Sequence, residues 1–383
     1  MQAMNGSAVR SRTRLVGCTM AIVLALSALV LVSTASAEKT PTKETYLALG
    51  DSLAFGYSTQ LFNENITKGV PPSAFLHGYA DYYLKHLKPN VTGTQLTNNG
   101  CPGESTGSMI GTGPLGAQLS AFAGAENLEA PCAYHNVNGL SLHHEYGTGK
   151  SQLENALETI AVDAGAGKPV TTLTLDIGAN DQLHQIKKCE EAAGPTAKAA
   201  GEKAFIETLT KGGTKAEAEA AGKKAGEEAG KAYVKKCLEE NFKTLVASIL
   251  KNIGASLFAI REGDKFGGVK YLGTIVVQGG YDPYGRVFGP EELLEGSNPL
   301  AAIINQEEAK TVAKFGACYA NPQPIFNPGS FIVKFNPHEP QRLQKWTNMA
   351  NFTESNGKKN GPDIHPTRSG YAQLSAIMVK DCP

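Results

Sequence analysis

Apolar residues in this chain fall into a few short dense runs, separated by longer stretches in which they recur at helical spacing. Tyr46-Leu47-Ala48-Leu49 is a continuous apolar run that stops at Gly50-Asp51-Ser52, the pattern of a short buried strand with a tight exit. Val170 to Leu175 mixes β-branched residues with leucine, and Tyr271 to Gln278 reads YLGTIVVQ; both predict strands, the second of the fully buried type. Helical spacing appears over Phe75 to Leu87, Ser151 to Ala164, Lys243 to Ile260, Asn298 to Phe315 and Ser369 to Val379. Strands alternating with helices predict an α/β layered fold with a mostly parallel sheet. From Thr92 to about Gly149 the chain is polar and glycine-rich.

One segment departs from this alternation. Glu190 to Lys236 is rich in Ala, Lys, Glu and Gly and poor in large apolar side chains. Its composition favours helix, the recurring glycines weaken it, and the apolar face is thin. It reads as a helical excursion stapled at its base by Cys189 and Cys237, either a solvated surface insert or a lid beside an active site.

The first residues belong to a different category. Arg10, Arg12 and Arg14 precede an apolar run from Leu15 to Val32, and Ala35-Ser36-Ala37 follows as a small-residue exit. This predicts a secretory signal, residues 1–37, cleaved after Ala37. The run is almost long enough to be a retained membrane anchor, but the exit and the polar chain behind it favour removal. No later segment reads as a transmembrane helix, so no stable membrane span is expected after cleavage. Lys plus Arg and Asp plus Glu number 36 each, and loss of the three arginines leaves 33 basic side chains against 36 acidic ones. With no sustained basic block, nucleic acid is not an expected partner.

Cleavage also removes Cys18 and leaves an even set: Cys101, Cys132, Cys189, Cys237, Cys318 and Cys382. In an exported chain such a set predicts disulfides. Pairing sequence neighbours gives 101–132, 189–237 and 318–382, one of the fifteen connectivities six cysteines allow. There is no C-x-x-C pair to support a zinc or thioredoxin-like site.

Three polar clusters sit beside strand ends or just ahead of a helix, where open α/β sheets place their chemistry. Ser52 in Gly50-Asp51-Ser52-Leu53 can expose its hydroxyl at a strand-to-helix turn, although a serine there is also an ordinary helix cap. His365 in Asp363-Ile364-His365-Pro366 could serve as its base, with a carboxylate or carbonyl fixing the tautomer. Asn180 in Gly178-Ala179-Asn180-Asp181 offers an amide after a strand, able to donate to an oxyanion or simply to close a turn.

These hints coincide with a known pattern. The chain resembles the SGNH (GDSL-type) hydrolases, whose four blocks carry Ser, Gly, Asn and His. Ala48 to Leu53 resembles the first block, Asn98-Asn99-Gly100-Cys101-Pro102-Gly103-Glu104-Ser105 the second with Gly103 at its glycine, Gly178 to Asp181 the third, and Asp363 to Pro366 the last. The resemblance spans most of the chain after residue 37 and leaves out the 190–236 insert, which would lie within a single hydrolase domain at 38–383. It implies a flavodoxin-like three-layer α/β/α fold and a secreted serine ester hydrolase, esterase or lipase, with no metal or organic cofactor. Ser52 would be the nucleophile and His365 the base. The N–H groups of Ser52 and Gly103 and the Asn180 amide would form the oxyanion hole. The last block departs from its commonest form, because Pro362 stands three residues before the histidine and the carboxylate, Asp363, only two. Asp363 or the Pro362 carbonyl is therefore expected to orient His365. Lipid or small acyl esters are the expected substrates, with glycan acetyl esters as the alternative and an inactive lipid- or glycan-binding protein as the reading from another class.

Two weaker signals are set aside. Gly111-Thr112-Gly113-Pro114-Leu115-Gly116 matches a dinucleotide fingerprint by letter, but no strand precedes it and Pro114 spoils the turn. His135, His143 and His144 read as loop histidines, without a ligand-rich frame around them.

Overall fold

The computed structural model describes residues 43–65, 72–87, 93–130, 149–285, 297–328 and 338–383, with short pieces at 132, 136–137, 140–142 and 146. The expected signal at 1–37 and the histidines 135, 143 and 144 lie outside the described residues. Five strands form the central sheet: β1 (Thr45–Gly50), β2 (Gln95–Asn98), β3 (Val170–Asp176), β4 (Thr274–Gln278) and β5 (Cys318–Ala320). They lie in the order β2-β1-β3-β4-β5, and every neighbouring pair is parallel.

β1 is apolar at successive positions because helices cover both of its faces. Leu47 and Leu49 join Leu173, Leu175, Ile275 and Val277 on one face. That face is covered by α3 (Thr106–Ile110), α4 (Gln152–Gly165), the C-terminal part of α6 (Lys215–Arg261) and, through Val312, α7 (Ser297–Ala313). Tyr46, Ala48 and Val276 point the other way, onto α2 (Tyr79–Leu87) and α8 (Arg368–Asp381). The result is helices, sheet, helices in three layers. Each leucine buried in these clusters contributes roughly 2 kcal/mol by leaving water.

The expected elements appear with shifted ends. The helix expected over 75–87 is broken: a 3-10 turn covers Pro72–Phe75, and α2 starts only at Tyr79. Gly78 lies between them, where a Cβ would meet the Ala54 carbonyl oxygen at 2.6 Å, so the close approach of two backbones replaces a helical turn. The strand expected from Tyr271 begins at Thr274. The edge strands β2 and β5 were not expected: Gln95–Asn98 is polar and Cys318–Ala320 has three residues, too little for a period to register.

The helix expected over 243–260 is the end of a much longer one. α5 (Ala179–Thr210) and α6 (Lys215–Arg261) form an antiparallel hairpin that begins in the third polar cluster and returns into the core. Thr214 and Glu217 cap α6 reciprocally. Glycines set the spacing of the pair: a Cβ on Gly201 would lie 2.9 Å from the Gly222 carbonyl oxygen, and one on Gly226 would lie 3.0 Å from that of Ala197. Lys-Glu pairs four residues apart, such as Lys198 with Glu202 and Lys223 with Glu227, occupy the wet faces and contribute a few tenths of a kcal/mol each. Disulfides join Cys101 to Cys132, Cys189 to Cys237 and Cys318 to Cys382.

Candidate active site

In the order β2-β1-β3-β4-β5 the chain leaves β1 toward one edge and returns to β3 on the other side of β1. Strand order therefore reverses between β1 and β3, and the crevice beyond their carboxyl ends is where such sheets hold their sites. Gly50 ends β1 opposite Asp176, which ends β3. Ser52 follows the first by two residues and Asn180 follows the second by four.

Gly50 has φ +135°, and a Cβ there would lie 2.2 Å from Asp176 Oδ1, so only glycine fits. Its N–H donates to Gln152 Oε1 at 2.6 Å, and Gln152 Nε2 donates back to its carbonyl at 2.9 Å. The chain then turns into α1 (Ser52–Phe55), capped by Asp51, whose Oδ1 accepts the Leu53 N–H at 2.9 Å. Ser52 stands at the first helical position, where its N–H has no acceptor within the helix. Only 8% of it is exposed.

His365 arrives from the far end of the chain. Asp363–Pro366 pairs antiparallel with Thr347–Asn348, and Thr367 then caps α8. The loop backbone is held by Tyr281, whose hydroxyl donates to the Ile364 carbonyl at 2.6 Å, and by Asn348, whose amide donates to the carbonyls of His365 and Pro366. His365 Nε2 lies 2.9 Å from Ser52 Oγ. Its Nδ1 lies 2.5 Å from Asp363 Oδ1, and the edge of the Tyr57 ring closes one side at a centroid distance of 4.7 Å. Asp363 takes two further N–H bonds, from His365 itself at 3.1 Å and from Thr59 at 2.8 Å. Burial works to raise its pKa, but attraction to His365 and these bonds outweigh it and hold the carboxyl below its ordinary value. The group beside His365 Nδ1 is thus the Asp363 carboxylate.

Gly103 stands third in the turn Cys101-Pro102-Gly103-Glu104, which the Glu104 N–H closes onto the Cys101 carbonyl at 3.0 Å. Proline second and a glycine of φ +84° third are the type II pattern. Asn180 links this turn to the serine turn. Its Nδ2 donates to the Glu104 carbonyl at 2.9 Å and to Asp51 Oδ2 at 3.2 Å. Asp181 fixes the same junction from the next residue, taking the Thr106 N–H on Oδ2 at 2.9 Å and the Thr106 hydroxyl on Oδ1 at 2.5 Å. The blocks carrying Ser52, Gly103, Asn180 and His365 thus converge on one end of the sheet.

A layer of buried carboxyls lies beneath them, and sequence reasoning assigned it no role. Asp51 and Asp176 are 2% and 3% exposed and hydrogen-bonded to one another; burial raises both pKa values, that of Asp176 the further. Glu104 is fully buried and pushed up to about 8, and desolvation raises the half-buried Asp181 to about 6. Asp51, Glu104 and Asp181 were already visible in the motifs, without a role; nothing local marked Asp176.

No protein-family model and no curated protein matches the chain. Among solved structures, the crystal structure of an extracellular lipase from Streptomyces rimosus aligns at 16% identity, covering 88% of this chain and 99% of that one, with a TM-score of 0.44. A likeness of that degree assigns no activity.

Proposed function

We propose that the chain is a secreted serine ester hydrolase of the SGNH type, acting on lipid or small acyl esters. The observation that carries this reading is the relay from Ser52 Oγ through His365 Nε2 and Nδ1 to Asp363 Oδ1, at 2.9 Å and 2.5 Å. The strand order β2-β1-β3-β4-β5, which flavodoxin-like sheets share, supports the same fold. In this reading residues 1–37 are removed on export, 38–383 form the hydrolase domain, and 190–236 are an insert within it. The three disulfides favour an oxidising destination.

The chemistry follows from the geometry. His365 takes the proton of Ser52 as Oγ attacks the ester carbonyl, and Asp363 stabilises the imidazolium. The Ser52 and Gly103 N–H groups and the Asn180 amide receive the oxyanion. The Asn180 amide donates to the Glu104 carbonyl at 2.9 Å and, over the longer 3.2 Å, to Asp51, and the hydrogen on the Asp51 side is shared with the oxyanion. His365 returns the proton to the leaving alcohol. Water then repeats the cycle on the acyl-enzyme and releases the acid.

The test is a fluorophosphonate probe on the secreted protein, with peptide mapping, beside p-nitrophenyl esters of increasing acyl length. Stoichiometric modification at Ser52, with turnover lost in Ser52→Ala, is the expected result. A folded protein that neither reacts with the probe nor hydrolyses any ester of the series refutes the reading.

A further inference from the structure

Two carboxyls in hydrogen-bond contact cannot both ionise in a dry interior, so Asp51 and Asp176 hold a proton between them. Their other contacts say where it sits. Both oxygens of Asp51 already accept N–H bonds, from Leu53 and from Asn180, and such bonds favour the anion. Asp176 Oδ1 accepts the Tyr79 hydroxyl at 2.7 Å. Asp176 Oδ2 is buried and receives no N–H or O–H among the described residues, which is the position of an oxygen that carries a hydrogen of its own.

We infer that Asp176 is a positioning residue for the proposed reaction: its protonated carboxyl donates to Asp51 and so fixes Asp51 as the anion that aims the Asn180 amide beside Ser52. The inference rests on the proposed hydrolase reading for its consequence, while the proton's location rests on the hydrogen bonds around the two carboxyls and on their burial. Asp176 ends β3, its carbonyl receives the Asp51 N–H at 3.2 Å, and its side chain fills the space where Gly50 lacks a Cβ. It is thereby tied to the backbone of the serine turn and to the side chain that caps it. The arrangement is directional. An amide at 176 still accepts from Tyr79 and still donates to Asp51. An amide at 51 turns one N–H acceptor into a donor facing another donor.

The experiment compares D176N, D176A and D51N. On p-nitrophenyl acetate D176A and D51N should lose kcat on the order of 100-fold, the effect of a misplaced oxyanion donor, with KM little changed. D176N should regain most of that loss. An infrared difference spectrum of wild type minus D176N at neutral pH should contain the carbonyl stretch of a protonated carboxyl. That band needs no turnover, so it still decides the matter if D176A does not fold. D176N as slow as D51N, or a difference spectrum without the band, overturns the assignment. Failure of the wild-type protein to label at Ser52 instead removes the hydrolase reading and leaves the band to report on the proton.

Discussion

Glu104→Gln isolates one buried carboxyl and gives a stability change whose sign and size come from its surroundings. The side chain is fully buried. It accepts from the Ser108 hydroxyl, from Gln152 Nε2 at 3.1 Å and from the Cys132 backbone, yet burial dominates and moves its titration from 4.5 to about 8. Between those values the unfolded chain carries an ionised Glu104 while the folded protein keeps the proton. The folded state binds more protons there, so stability falls as pH rises, and this contribution is complete only below 4.5. Over the whole interval it amounts to roughly 5 kcal/mol. A glutamine is neutral in both states and keeps the pairing, its oxygen toward Gln152 and its amide toward the Ser108 hydroxyl. Urea unfolding of both proteins, with disulfides intact, at about pH 5, 6.5 and 8 measures the difference. The variant should gain on wild type as pH rises, by up to roughly 4 kcal/mol across that range. Other buried acids contribute equally to both curves and cancel. If the difference between the two proteins does not change with pH, Glu104 is not held neutral and the burial argument fails.

Asp363→Ala leaves His365 Nδ1 without its acceptor and should lower kcat on the order of 1,000-fold or more, read on p-nitrophenyl esters. Asp363 titrates below its ordinary 3.8 in the folded protein, so the stability its bonds supply is present above that value and lost as pH falls through the folded one; acid melts of wild type and Asp363→Asn should converge at low pH. Gly50→Ala should destabilise by about 3 kcal/mol or more in thermal melts, because it adds a Cβ 2.2 Å from Asp176 Oδ1 at a positive φ.

The side chains proposed to react were legible because the proposed chemistry demands particular residue types. Ser52 and His365 were expected to meet although more than three hundred positions separate them, and they stand 2.9 Å apart. The choice between Asp363 and the Pro362 carbonyl was open in the sequence, since either can reach an imidazole from two or three residues away; the fold places the Asp363 carboxylate on Nδ1. The full hairpin was also hidden. Its helices begin at Ala179 and end at Arg261, well beyond the 190–236 segment whose composition stands out, because α6 passes without a break from a glycine-spaced pair into an ordinary core helix.

What sequence could not express was the support under the site. Asp176 and Glu104 look like any acidic residues near a turn, and in water each would be an anion. Their roles depend on being dry, and dryness is a property of the assembled layers: α2 brings Tyr79 onto Asp176, and α4 brings Gln152 onto both Glu104 and Gly50. A neutral carboxyl can donate where a carboxylate cannot, so burial gives these side chains a chemistry their letters do not carry. The same acids make the site a place where stability falls as pH rises. The cost is borne where the proposed reaction needs Ser52, Gly103 and Asn180 in fixed relation, and a protonated acid supplies there a hydrogen bond that a solvated anion would withhold.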